Sequence, residues 1–203
     1  MPNHVQTQFV IEGKPEDVKK IIDLVTITPA FIEQVAKRNE GLDKKFQIPE
    51  PTEDELGQIS FERLIPTPTN IFQANLKLSD EEKYGRENCW YDWRCKYWGT
   101  KWDCYDCYAN TDATGKRWFV EFSTAWVFPH PYMNALCKVV VENNCTLSGE
   151  FADEDFGGAM GTFKSHDVDE EGQYYSNEYH DLDADLYETV WGFNPEEDED
   201  DED

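Results

Sequence analysis

NCWYDWRCKYWGTKWDCYDCYANTDATGKRWFVEFSTAW, residues Asn88 to Trp126, is the stretch around which the rest of the chain must be arranged. Between Cys89 and Tyr108 it holds Trp90, Tyr91, Trp93, Tyr97, Trp98, Trp102, Tyr105 and Tyr108, and Cys89, Cys95, Cys104 and Cys107 share the window. Rings of this size each bury roughly 150–250 Å² when packed, so a segment this dense in them reads as core. Trp90, Trp93 and Tyr97 fall at i, i+3 and i+7, the stripe of one helical face, and Gly99 stands where a left-handed cap would end that helix. The period then changes. Trp118, Val120 and Phe122 alternate with Phe119, Glu121 and Ser123, which predicts a strand with apolar groups on both faces.

Upstream, Val5, Thr7, Phe9 and Ile11 alternate with polar residues and predict a half-buried strand. Pro15 suits the first turn of a helix whose face is Val18, Ile21, Ile22 and Val25, and a second helix opens at Thr28-Pro29 with Phe31, Ile32 and Val35 inward. Residues 47–57, with Pro49, Pro51 and Gly57, read as a loop. Ile59 to Ile65 suggests a short strand, Ile71 to Leu78 a short helix, and Ser79 a further helical start. Downstream of the aromatic stretch, residues 102–108 and 117–123 predict a hairpin, and Met133, Leu136, Cys137, Val140 and Val141 a helix. Strands follow near 147–151, 158–166 and 174–179, and Leu186 to Phe193 forms a last element.

This order predicts an α+β chain. Its expected core is a ferredoxin-like antiparallel βαββαβ sheet, lengthened by extra C-terminal strands and interrupted by a helical insertion. One domain spans 1–195, with the insertion at 28–100, the sheet portion at 101–193, and an acidic disordered tail at 196–203.

Several motifs resemble a family of phage and plasmid proteins with a ferredoxin-like C-terminal domain, the YubB and Api-like group. They are Asn88-Cys-Trp-Tyr-Asp-Trp93, Tyr97-Trp-Gly-Thr-Lys-Trp-Asp103, Phe122-Ser-Thr-Ala-Trp126 with Pro129 and Pro131, and Gly149-Glu-Phe151 followed by Gly157 to Phe163. The resemblance covers about residues 84–190. It implies the fold and a mobile-element origin, and it transfers no catalytic residue. The cysteines and the acidic tail depart from the family pattern.

Charge is the strongest global signal. The chain carries 43 acids against 18 bases. Residues 150–203 hold 21 of those acids and a single base, Lys164. Such a surface repels phosphate, so direct nucleic-acid binding through it is excluded. No apolar run is long enough to span a membrane, and the N-terminus lacks the basic start and apolar core of a signal peptide. The bacterial host cytoplasm is the expected location.

Three local patterns could carry chemistry. Cys89, Cys95, Cys104 and Cys107 include one CxxC pair, half of a zinc knuckle, but the other spacing is too wide, and in a strand Cys104 and Cys107 would face opposite ways. Asp167, Asp169, Glu171 and Glu178, with Gly172 at the sixth position, match a calcium loop, although the flanks are not helical and an acidic hairpin turn explains the segment better. Trp98, Trp102 and Trp118 could form a stacking platform for RNA, against which stands the scarcity of nearby bases. His4, His130, His166 and His180 are scattered, and no nucleophile motif or phosphate loop accompanies them. Neither an enzyme nor a cofactor is expected.

The acids of 150–195 are interleaved with Phe151, Phe156, Phe163, Tyr174, Tyr175, Tyr179, Tyr187 and Trp191, so they belong to a folded surface. The expected role is protein binding. In this reading Asp153, Glu154, Asp155, Asp167, Asp169, Glu170, Glu171, Asp181, Asp183 and Asp185 stand in for phosphates. Their partner is a basic host or defence protein that normally binds nucleic acid, as for an anti-CRISPR-type inhibitor.

Overall fold

The structure, a computed structural model, describes residues 3–196, so the expected acidic tail lies outside the described residues apart from Glu196. β1 (His4–Glu12) alternates as its sequence demands, with Val5, Thr7, Phe9 and Ile11 buried. α1 (Pro15–Val25) starts at Pro15 and buries Val18, Ile21 and Val25. The insertion then supplies α2 (Pro29–Asn39), the single turn α3 (Phe61–Leu64), α4 (Leu78–Tyr84) and α5 (Trp90–Tyr97). β2 (Tyr105–Thr111) and β3 (Arg117–Ala125) form a hairpin, α6 (His130–Glu142) crosses back, and β4 (Thr146–Asp153), β5 (Met160–Ser165) and β6 (Tyr175–His180) complete the sheet. α7 (Ala184–Trp191) ends at Gly192, whose φ of +80° is the left-handed cap position.

The six strands are antiparallel in the order β2-β3-β1-β4-β5-β6. Its first four members have the order of a ferredoxin-like sheet, and β5 and β6 extend the β4 edge. β1 is central, so residues near the N-terminus hold together a sheet whose other strands all come after residue 104. On one face α1 and α6 bury Val18, Ile21, Val25, Tyr132, Met133, Leu136 and Val140 against Phe9, Phe122, Phe151 and Phe163. On the other face only α7 is docked among the described residues, setting Leu186, Tyr187 and Val190 against Ala152 and Met160.

The insertion is pinned to this core through α3. Phe61 is fully buried and stacks on Tyr132 with centroids 3.9 Å apart. The Asp103 carboxylate accepts hydrogen bonds from Phe61 N and Ser60 Oγ, both at 2.7 Å, and from Cys104 N at 2.9 Å. This is why Ile59 to Ile65 forms a helical turn instead of the expected strand. The cap that starts the turn lies 42 residues away in sequence. Ile71 to Leu78 is likewise not the expected helix. Phe72 forms an isolated bridge to Cys89 and stacks on Tyr84, which holds the segment extended.

The aromatic stripe is only partly right. Trp93 is buried, but Tyr97 is 41% exposed, and the deepest ring is Trp98, one residue past the helix, whose Nε1 donates to Ile65 O at 2.9 Å. Trp102 and Tyr108 are exposed as well, so the dense aromatic window divides between core and surface.

Candidate functional site

The ten acids expected to act together lie at two ends of the sheet. β5 separates them; at about 3.3 Å per residue its six residues span about 20 Å. The first end joins the β4–β5 turn to the β6–α7 junction. There Asp153 is 7% exposed and is used internally, its Oδ1 accepting from Asp155 N at 3.0 Å and from Asn3 Nδ2 at 3.3 Å. Asp183 caps α7, accepting from Leu186 N at 3.0 Å and meeting His180 Nδ1 at 3.0 Å. The backbone bond from Leu186, with help from His180, holds the Asp183 carboxyl below its ordinary value. Asp155, Asp181 and Asp185 are exposed and Glu154 half-buried. Beside them sits Leu182, 66% exposed with φ +48°.

The second end is the β5–β6 turn, where Asp167, Asp169, Glu170 and Glu171 are all exposed. Asp169 Oδ1 accepts from Glu171 N at 3.0 Å and Gln173 N at 2.8 Å, and Gly172 takes φ +80°. The carboxylate most central to the calcium pattern therefore builds a hairpin turn. Glu178 stands in mid-β6 opposite Thr162, away from that turn.

The zinc pattern fares no better, for a different reason from the one expected. A β-bulge between Tyr105 and Tyr108, with Asp106 at φ +50°, turns Cys104 and Cys107 toward the same carbonyl, Ile59 O, at 3.3 and 4.0 Å. The strand alternation that would have separated them does not hold. Cys89 instead donates to Gly85 O, and burial raises the thiols of Cys89, Cys95 and Cys104 above their usual value. Among the described residues no group of three or more His, Cys, Asp or Glu is placed to hold a metal ion. The alternative of an RNA platform loses two of its three rings to the core: Trp98 and Trp118 are 1% and 2% exposed on the helix side. Trp102 is exposed, with Lys101 Nζ 3.9 Å from its ring centroid.

Two arrangements lie outside the residues singled out in the sequence. The first is the joint beneath α3, where burial raises the carboxyls of Asp103 and Glu62 and lowers the Arg94 guanidinium. Perturbed groups around a cleft of about 300 Å³ can mark catalysis. Here each carboxylate has a structural task, since Glu62 receives Thr67 N at 2.8 Å and Thr67 Oγ1 at 2.6 Å. Arg94 packs against Trp90 and Trp98 and donates to Gln73 Oε1.

The second is the sheet face opposite α1 and α6, where an open trough of about 1150 Å³ lies beside α7. Its floor carries Tyr108, Phe119, Val10, Glu121, Glu150 and Glu178. Gln6 Nε2 donates to Glu121 at 2.7 Å and Gln8 Nε2 to Glu150 at 3.2 Å, so two of these carboxylates are held along the face. The period-2 pattern of β1 and β3 contained this signal, because their even- and odd-numbered residues must point to opposite sides.

Residues 101–194 match the family model of the ferredoxin-like domain in Api92-like protein. The matched segment runs from the approach to β2 through α7, and its sheet is completed by β1 from outside it. The chain is also similar to the crystal structure of a protein api92 from Yersinia pseudotuberculosis, with a TM-score of 0.43 and 9% identity over 89% of this chain and 98% of that one. No curated protein matches the chain. Among the described residues no helix is long and apolar enough to cross a membrane.

Proposed function

We propose that this protein works by binding another protein and not by catalysis, as an accessory factor of a phage or plasmid acting in the bacterial host cytoplasm. Its partner is a basic, nucleic-acid-handling host or defence protein, whose cleft it occupies as an inhibitor. The observation that carries the reading is the charge of the outer sheet: acids border β5 and β6 at both ends, and Lys164 is the single Lys or Arg in residues 150–203. Fixed carboxylates on an ordered scaffold attract a basic surface quickly and exclude phosphate.

Geometry reduces the contact set. Asp153 and Asp183 are occupied with holding the fold, so Glu154, Asp155, Asp181 and Asp185 form one patch and Asp167, Glu170 and Glu171 another. The test is capture from infected-host lysate after nuclease treatment, comparing the native chain with a variant carrying Glu154→Lys, Asp155→Lys, Asp181→Lys and Asp185→Lys. Nuclease-resistant capture of a DNA- or RNA-binding protein, lost in the variant and weakened by salt, is expected. Equal capture by both chains removes these residues from the proposal.

A further inference from the structure

We infer that the open face of the sheet is a docking groove for one basic, amphipathic α-helix of a partner protein; this rests on the protein-binding reading and names its partner's chemistry. The registers align a row of side chains across all six strands: Tyr108, Glu121, Gln8, Glu150, Thr162 and Glu178. A parallel row beside it includes Phe119, Val10 and Lys164. Five gaps between strands of about 4.8 Å make the groove about 24 Å long. At 1.5 Å per residue it accommodates a helix of about 16 residues.

Helix-on-sheet packing already occurs on this face. α7 lies over Ala152 and Met160, and its Thr189 O accepts from Gln8 Nε2 at 3.0 Å, so a helix is fastened to the groove's floor at Gln8. A second helix laid alongside would continue that layer. Its apolar stripe would meet Tyr108, 61% exposed, and Phe119, 39% exposed, together with Val10. Its basic face would meet Glu121, Glu150 and Glu178, none of which takes part in an ion pair among the described residues. Lys164 is the one cation on these two rows. This charge balance selects a basic helix and disfavours nucleic acid, whose phosphates the same carboxylates repel.

The probe is a fluorescent synthetic helix with leucines at i, i+3, i+4 and i+7 spacing and lysines elsewhere, titrated with the full chain by anisotropy at low salt. A scrambled peptide of identical composition is the control. The patterned helix should bind more tightly than the scrambled one. Paired Glu150→Lys and Glu178→Lys should weaken it roughly tenfold, and paired Tyr108→Ser and Phe119→Ser by a similar factor. Circular dichroism and thermal melting verify that both variants stay folded. Should either variant unfold, single Glu178→Lys, a change at an exposed position, takes its place, with a severalfold loss expected. Equal binding of scrambled and patterned peptides, or no binding, overturns the groove. Loss of binding only on reversal of Glu154, Asp155, Asp181 and Asp185 also overturns it while leaving the protein-binding reading intact.

Discussion

Asp103→Ala should detach the insertion from the sheet. In the native chain this carboxylate receives Phe61 N, Ser60 Oγ and Cys104 N within 2.9 Å in a half-buried site. Truncation leaves two backbone donors and one hydroxyl without an acceptor, each costing about 1–3 kcal/mol when buried. The loss is partly offset, because burial of the carboxyl is itself unfavourable and raises its pKa. A net destabilisation of about 3 kcal/mol results. Asp103→Asn retains one acceptor oxygen and removes the buried charge, so its cost is smaller, about 1–2 kcal/mol. The two variants also differ from the native chain in pH dependence. With the folded pKa above the unfolded one, the native protein binds more protons at this site across that interval, so the site's contribution to stability is complete below the ordinary carboxylate range and is lost as pH rises through the folded pKa. Neither variant has a titrating group at this position, so both lack that contribution. Urea unfolding monitored by tryptophan fluorescence measures the free energies, and amide exchange at residues 60–66 reports on the turn. A cost below about 1 kcal/mol for Asp103→Ala, with unchanged exchange, would falsify the view that this carboxylate holds the joint.

Glu62 obeys the same sign rule, since burial is the first cause of its raised pKa. Glu62→Gln should therefore be close to neutral near pH 7, while Glu62→Ala, which strands Thr67 N, should cost about 1–3 kcal/mol in the same urea assay. His130 runs the other way. Its ring contacts Tyr175 Oη and Tyr179 Oη at 2.5 and 2.8 Å, and burial lowers its pKa below 6.5. The unfolded chain then binds the proton first, so the contribution of this site is complete above about 6.5 and is lost as pH falls through the folded value. Melting temperatures of native protein and His130→Gln should converge as the medium is acidified; parallel curves would refute this.

The sheet was legible because its information is local. β1 shows strict alternation, α1 and α6 carry apolar stripes at helical spacing, and the strand lengths left few arrangements besides the βαββαβ order. What failed was set by partners distant in sequence. Ile59 to Ile65 has the composition of a strand, and only the Asp103 carboxylate makes Phe61 begin a helical turn. Cys104 and Cys107 would separate in a regular strand, and the bulge that reunites them depends on one residue, Asp106, at positive φ. The acids were counted correctly but not located. A sequence gives their density, whereas their grouping depends on β5 and β6 being antiparallel neighbours, which places 153–155 beside 181–185 and sends 167–171 to the far end.

That separation bears on how the proposed partner would be held. Duplex DNA presents one charge per about 1.7 Å of axis, so a faithful substitute about 20 Å long would need about 12 charges in sequence. Between the two acidic ends the trough is lined by Glu178, Glu150 and Glu121, with Lys164 among them and Tyr108 and Phe119 alongside. A continuous phosphate track is thus absent from the middle of the face, among the described residues. A partner contacting both ends must find something other than charge between them, and the side chains present there favour an apolar contact. Affinity would then divide between a salt-sensitive share from the ends and a salt-resistant share from the trough. The measured salt slope should consequently fall well short of that for a protein neutralising a dozen phosphates, and a slope that large would instead require the carboxylates to act as one uninterrupted array.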